Sequence, residues 1–229
     1  MRYNTILPLM SAAMLVAMSN IAVAKSEPVG VLGLYKADAP EKALLNDMTL
    51  DGIGCKLQRA GVIVAEQGGI DLEQPNQFVL LACESSVLAD TTKRAAFKKL
   101  TGGVERIGVV EGDLMNFPDG LRESDVGGRQ YIFKLSYYNN RDVDARDTDL
   151  AMLGEAVGKV PDAYVNETFI GVNHASGLAT PDEVVVLFYD NAQAADRFRA
   201  NNKDLLGKIG AFNKAHVTNS VYYIGQVSQ

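Results

Sequence analysis

The order of apolar runs repeats once along this chain, and that repetition limits the fold more than any other feature. The first half reads VGVLGLYK (29–36), a helical stretch from Pro40 through PEKALLNDM toward Arg59, GVIVAEQ (61–67), QFVLLACES (77–85), TTKRAAFKKL (91–100) and VERIGVVEG (104–112). Runs rich in β-branched residues and bounded by Gly, Pro or Asn read as strands, and apolar residues spaced by three and four read as helices. Pro40 suits the first turn of its helix, and Thr91 the cap of the next. The order is β-α-β-β-α-β. NFPDGLRESDVGGR (116–129), rich in Pro, Gly and charge, reads as a linker. The order then returns, with strand QYIFKLSYY (130–138) and helix DTDLAMLGEAVGKV (147–160) capped by Asp147. Strands AYVNETFIGVN (163–173) and DEVVVLFYD (182–190), one helical region over 191–215 and strand VTNSVYYIGQV (217–227) complete it. First strands lie about 102 residues apart, a period carried by element order rather than residue identity.

A β-α-β-β-α-β unit is the ferredoxin-like arrangement, a four-stranded sheet with both helices on one face. Its bare face needs a cover, and two such units in one chain can cover each other. Runs such as VVVLF (184–188) and FVLLA (78–82) suit strands buried on both faces. On these runs and this order the chain resembles a single-chain version of the dimeric α/β-barrel superfamily, which includes small monooxygenases and chlorite-dismutase-like proteins. The resemblance implies an α+β fold: one ferredoxin-like repeat over 25–115, the linker 116–129, and a second repeat over 130–229, closed into one barrel. Two independent α+β domains without a shared cavity are the competing arrangement.

Residues 1–24 have the layout of a secretory signal peptide: Arg2 near the start, an apolar middle over 6–18, and the small-x-small ending Ala22-Val23-Ala24. The apolar stretch is shorter and more interrupted than a stable membrane span. The expectation is a bacterial protein of the periplasm or exterior, with no stable membrane anchor after cleavage. The full chain carries 22 basic and 28 acidic residues, net −6, and loss of Arg2 makes it more acidic. That balance argues against non-specific nucleic-acid binding, which rests on phosphate neutralisation. The basic run KRAAFKKL (93–100) reads as a solvated helix face. In an oxidising compartment Cys55 and Cys83 read as a disulfide, with two buried free thiols as the alternative.

Candidate site residues come from strand alternation. In 130–138 one face carries Tyr131, Phe133, Leu135 and Tyr137, the more apolar set, assigned to the helix-packed core. Lys134, Ser136 and Tyr138 are left for the barrel interior or solvent. In the last strand Thr218, Ser220, Tyr222 and Ile224 share a face. Tyrosines so placed line a mostly apolar pocket with polar tips, or simply sit half-buried with the hydroxyl at an edge. His174, two residues after Val172, shares its face if the strand persists. Beside Asn173 and Ser176 it reads as a general base or as an exposed hairpin residue. His216 reads as a helix-end residue favoured by the local dipole.

Two histidines without H-x-x-x-H or H-E-x-x-H spacing predict no metal site. RDVDARDTD (141–149) lacks the glycine and glutamate of a calcium loop. No glycine-rich loop has nucleotide-binding spacing. No cofactor is predicted from the residues. Haem enters through the resemblance alone, some members of which bind it through one histidine, a role open to His174 or His216. Three functions follow. The first is a periplasmic protein holding a small apolar or aromatic molecule in an inter-sheet pocket. Its enzymatic form is a cofactor-independent oxygenase, lyase or isomerase, with His174 catalytic and Lys134, Tyr138, Arg141, Asn173 and Tyr222 binding the ligand. The second is a non-catalytic accessory protein with a packed barrel, whose protein partner is unknown. The third is a haem protein.

Overall fold

The computed structural model describes residues 28–38, 50–70, 72–101, 104–117, 126–160 and 163–227. The expected signal peptide, the core of the first helix and most of the linker lie outside them. Eight strands form one closed antiparallel barrel: β1 (Val29–Lys36), β2 (Cys55–Gly68), β3 (Gln77–Cys83), β4 (Glu105–Asn116), β5 (Gln130–Tyr138), β6 (Val165–Ser176), β7 (Glu183–Tyr189) and β8 (Val217–Val227). Around the barrel the order is β4-β1-β3-β2 and then β8-β5-β7-β6. Each half keeps the ferredoxin-like sheet, and the halves join at two seams, β2 to β8 and β4 to β6. Four helices lie outside: α1 (Thr91–Leu100), α2 (Val143–Gly158), α3 (Ala192–Asn201) and α4 (Lys203–His216). Among the described residues no helix is long and apolar enough to cross a membrane.

The duplication is recorded in the bulges as well as the order. Against β3, β2 carries one extra residue, Gln58; against β7, β6 carries Glu167. At the seams the extra residues are Val64 of β2 and Asn173 of β6. The β1–β4 and β5–β8 pairs shift alike, at Ile107 and Thr218. Each extra residue flips the alternation downstream of it. This moves His174: Val172 and Ala175, on either side of the Asn173 bulge, pack on the barrel core, so His174 faces out.

The barrel interior holds the main core. Leu32, Leu34, Phe78, Leu80, Val110, Tyr131, Phe133, Leu135, Ile170, Val184, Val186, Phe188, Val221 and Tyr223 fill it from both halves. The space expected to be an inter-sheet pocket is thus occupied by side chains. The apolar row of β5 faces this interior, not the helices, because two sheets closing on each other exclude water more completely than a helix layer does. Lys134, Ser136 and Tyr138 face the helix side instead.

Four local readings are corrected by the same logic. Cys55 to Arg59 belong to β2, because Gly54 takes a positive φ of 67° that ends the preceding turn and starts the strand. Asp90, not Thr91, caps α1, accepting from the amides of Thr92 (2.8 Å) and Lys93 (3.0 Å). Asp142, not Asp147, caps α2 through the Ala145 amide at 2.9 Å. The last helical region breaks at Asn202, whose side-chain amide donates to the Phe198 carbonyl at 3.0 Å, separating α3 from α4.

Cys55 and Cys83 form a disulfide joining the start of β2 to the end of β3. It lies in the layer under α1 with Val31, Val79, Leu81 and Phe97. The sequence separation is 28, so closing this loop stabilises the fold by about 3 kcal/mol in the chain-entropy model. Reduction, or Cys55→Ala with Cys83→Ala, is expected to lower the unfolding free energy by that amount. Urea unfolding with and without reductant measures it, and an unchanged midpoint refutes it.

Candidate functional site

The two halves differ in how completely their helices cover their sheets. In the first, the helix-facing residues Val31, Tyr35, Val79, Leu81, Val109 and Glu111 are all buried. In the second, Ile132, Lys134, Val185, Leu187, Tyr222 and Ile224 are only half-buried. The connections explain the difference. Between β3 and α1 the chain takes residues 84–90, and Val87 and Leu88 fill the layer beneath the helix. Between β7 and α3 only Asp190 and Asn191 intervene. α2 completes the picture: none of its residues is fully buried. Ile132 and Leu187 still pack against Tyr189, Ala195 and Phe198, so the incompletely covered stretch, a shallow crevice, is the one around Lys134, Val185, Tyr222 and Ile224.

Register places the polar groups of this crevice. Lys134 of β5 lies opposite Tyr222 of β8 and opposite Val185 of β7. From α4, Asn213 donates its side-chain amide to the Tyr222 hydroxyl oxygen at 3.1 Å, and Phe212 approaches the same strands. The Lys134 ammonium is 6.0 Å from the ring centres of both Phe212 and Tyr222. No hydrogen bond or ion pair engages it among the described residues.

Farther along β5, the Ser136 hydroxyl donates to Glu183 Oε1 at 3.0 Å and the Tyr138 hydroxyl to the same oxygen at 2.6 Å. Burial pushes the Tyr138 hydroxyl well above its ordinary pKa, and the charge of Glu183 adds to the shift. Arg146 of α2 lies over the Tyr138 ring at 4.7 Å, steadied by Asp147. At the foot of α4, His216 Nε2 meets Asp149 Oδ2 of α2 at 2.8 Å, tying the two helices together. The crevice thus offers a cation, aromatic walls and a hydrogen-bonded carboxylate–phenol pair.

Of the residues singled out by sequence, Lys134, Tyr138 and Tyr222 come together here. Arg141 is exposed past the end of β5, its amide donating to Asn139 Oδ1 at 3.1 Å. Asn173 and His174 are exposed on β6, where His174 pairs with Glu111 across a seam. Glu183, Phe212, Asn213 and Asp149 were not singled out, and by sequence His216 reads as a helix-end residue or haem ligand rather than as Asp149's partner. Glu183 had one signal, an acid opening an otherwise apolar strand.

A second polar cluster, also not singled out, is buried in the barrel wall. Tyr131 accepts from Arg59 Nε at 3.0 Å and Arg129 Nη1 at 3.2 Å, and donates to Glu167 Oε2 at 3.1 Å. Arg59 Nε also lies 3.1 Å from Glu167 Oε1, and Arg129 Nη1 3.6 Å from Oε2. The Arg129 guanidinium lies 3.9 Å over the Phe188 ring. These side chains link both halves and leave no access for a ligand.

No family model matches the chain, and no curated protein does. Solved structures match it in fold. An anthrone oxidase-like protein superposes with a TM-score of 0.56 at 14% identity, over 90% of this chain and 93% of that one. A chlorite dismutase variant from Candidatus Nitrospira defluvii gives 0.54 at 12% identity, over 88% and 92%. A dyp-type peroxidase protein from Shewanella oneidensis gives 0.52 at 9%, over 90% and 94%. At such identities the likeness is one of architecture. The strand order, the two seams and the paired bulges give this chain the fold of the dimeric α/β barrels, built as a single-chain duplication.

Proposed function

We propose that the protein binds a small, largely apolar organic molecule between the second sheet and its helices, in a bacterial periplasm or outside the cell. One observation carries the reading: of two equivalent layers, one is buried throughout and the other is only half-buried around Lys134, which has no hydrogen bond or ion pair among the described residues. A site mostly apolar with a few placed polar groups is what small-molecule recognition uses. The disulfide accords with an oxidising compartment. Neighbours described as an anthrone oxidase-like protein and a monooxygenase add an oxygenase reading at the level of fold. In that reading proton handling falls to Tyr138 and Glu183, since His174 lies outside the crevice.

Haem, the other implication of the fold resemblance, fits these side chains poorly. His216 is the histidine beside the crevice, and its Nε2 is held by Asp149. His174 is exposed at the β4–β6 seam.

Native mass spectrometry of the exported protein tests the proposal. The wild type is expected to retain a small molecule, and Val185→Trp, which fills the crevice, to lose it while staying folded. The absorption spectrum is expected to lack a Soret band. Equal retention by both proteins, or a Soret band, overturns the reading.

A further inference from the structure

Comparing the two halves at a single register position says more about the ligand. Counting back from the bulge shared by β1–β4 and β5–β8, Val31 opposite Glu111 corresponds to Lys134 opposite Tyr222. In the first half the layer carries its own carboxylate. Glu111 is 1% exposed and accepts from the Ser86 hydroxyl and from the amides of Val87 and Leu88, both at 2.8 Å. All three donors come from the connection between β3 and α1, which has no counterpart in the second half.

In the second half the same place holds a lysine in place of a carboxylate and its donors. The Lys134 ammonium has no anionic partner among the described residues. The Tyr222 hydroxyl is hydrogen-bonded to the Asn213 side-chain amide at 3.1 Å. The nearby carboxylates are engaged: Glu183 by Ser136 and Tyr138, Asp149 by His216. Neither ring relieves the lysine, since 6.0 Å is the outer limit of a useful cation–π contact. A charge-assisted bond to a carboxylate is among the stronger polar contacts open to such an ammonium.

Resting on the crevice reading above, we infer that the bound molecule carries a carboxylate, which Lys134 receives beside Tyr222 while its apolar body lies against Val185, Ile224 and the Phe212 ring. The second half has replaced an internal carboxylate by an external one.

The test uses benzoate, cinnamate and 2-naphthoate, each beside its methyl ester, titrated by calorimetry into the full-length exported protein and three variants. Saturable binding of at least one acid is expected, tighter than its ester and weakened by added salt. Lys134→Met is expected to weaken the acid by about tenfold or more and leave the ester unchanged. Lys134→Arg is expected to retain most of the acid's affinity, and Tyr222→Phe to lose less than Lys134→Met. Circular dichroism checks that each variant is folded. If acid and ester bind alike and Lys134→Met treats them alike, the carboxylate is overturned and the crevice reading stands. If neither acids nor esters bind saturably, the crevice reading falls and the inference with it.

Discussion

Replacing Glu167 with alanine is expected to lower the unfolding free energy by about 3–5 kcal/mol, the cost of breaking a buried ion pair by removing one partner. Glu167 is fully buried, and Arg59 of β2, Tyr131 of β5 and Arg129 just before β5 converge on it. Alanine would leave two guanidiniums in the barrel wall without the carboxylate they share. The carboxylate itself is held uneasily. Burial raises its pKa above the ordinary range, although Arg59, Tyr131 and Arg129 pull it down. Because the folded pKa is the higher one, this group favours folding most below the ordinary glutamate pKa, and that contribution is lost as pH rises through the folded value. Glu167→Gln cannot ionise, so it should cost less than alanine and flatten that part of the pH profile. Urea unfolding of the three proteins from weakly acid to neutral pH measures both effects. A Glu167→Ala loss under about 1 kcal/mol would mean the cluster is solvated or compensated in solution.

Gly112→Ala is expected to cost at least the upper end of the ~1–3 kcal/mol typical of overpacking. At the β4–β6 seam a Cβ on Gly112 would stand 1.8 Å from the Gly171 carbonyl oxygen. Gly61, at the β2–β8 seam, is in the same position, 1.9 Å from the Gln226 carbonyl oxygen. Both obstacles are backbone on the opposing strand, so relief requires the halves to part where they are joined. Gly30→Ala is the control. Its Cβ would meet the side-chain atoms Ile170 Cγ1 and Leu114 Cδ1, both at 2.8 Å, which can shift by rotation at smaller cost than backbone. Hydrogen exchange should localise the damage of Gly112→Ala to the amides of β4 and β6. Equal destabilisation by Gly30→Ala and Gly112→Ala would remove the distinction between yielding side chains and unyielding backbone.

Much of the architecture was legible because strand runs and turn residues are local signals. β5 and β8 begin and end where QYIFKLSYY and VTNSVYYIGQV do. The repeat was visible for the same reason. What alternation cannot reveal is a bulge, since an extra residue leaves composition unchanged while reversing every side chain beyond it. Unbroken alternation would put His174 on the face of Val172, whereas the Asn173 bulge sends it outward. The faces of β5 were exchanged for a different reason. An apolar row marks the drier side of a strand, and only the closed barrel tells which side that is. The helical stretch read from Pro40 toward Arg59 stops short of Cys55, where Gly54 turns the chain into β2. The pairing of Lys134 with Tyr222 joins residues remote in sequence, and register alone brings them together.

Closure of the barrel has a consequence for life at high concentration. Every strand finds both neighbours within the same molecule, so no row of free amide and carbonyl groups is offered to a second chain. Either half alone would leave β2 and β4, or β6 and β8, as open edges inviting sheet extension. Joining the copies in one polypeptide makes each half the permanent guard of the other's edges, whatever the dilution.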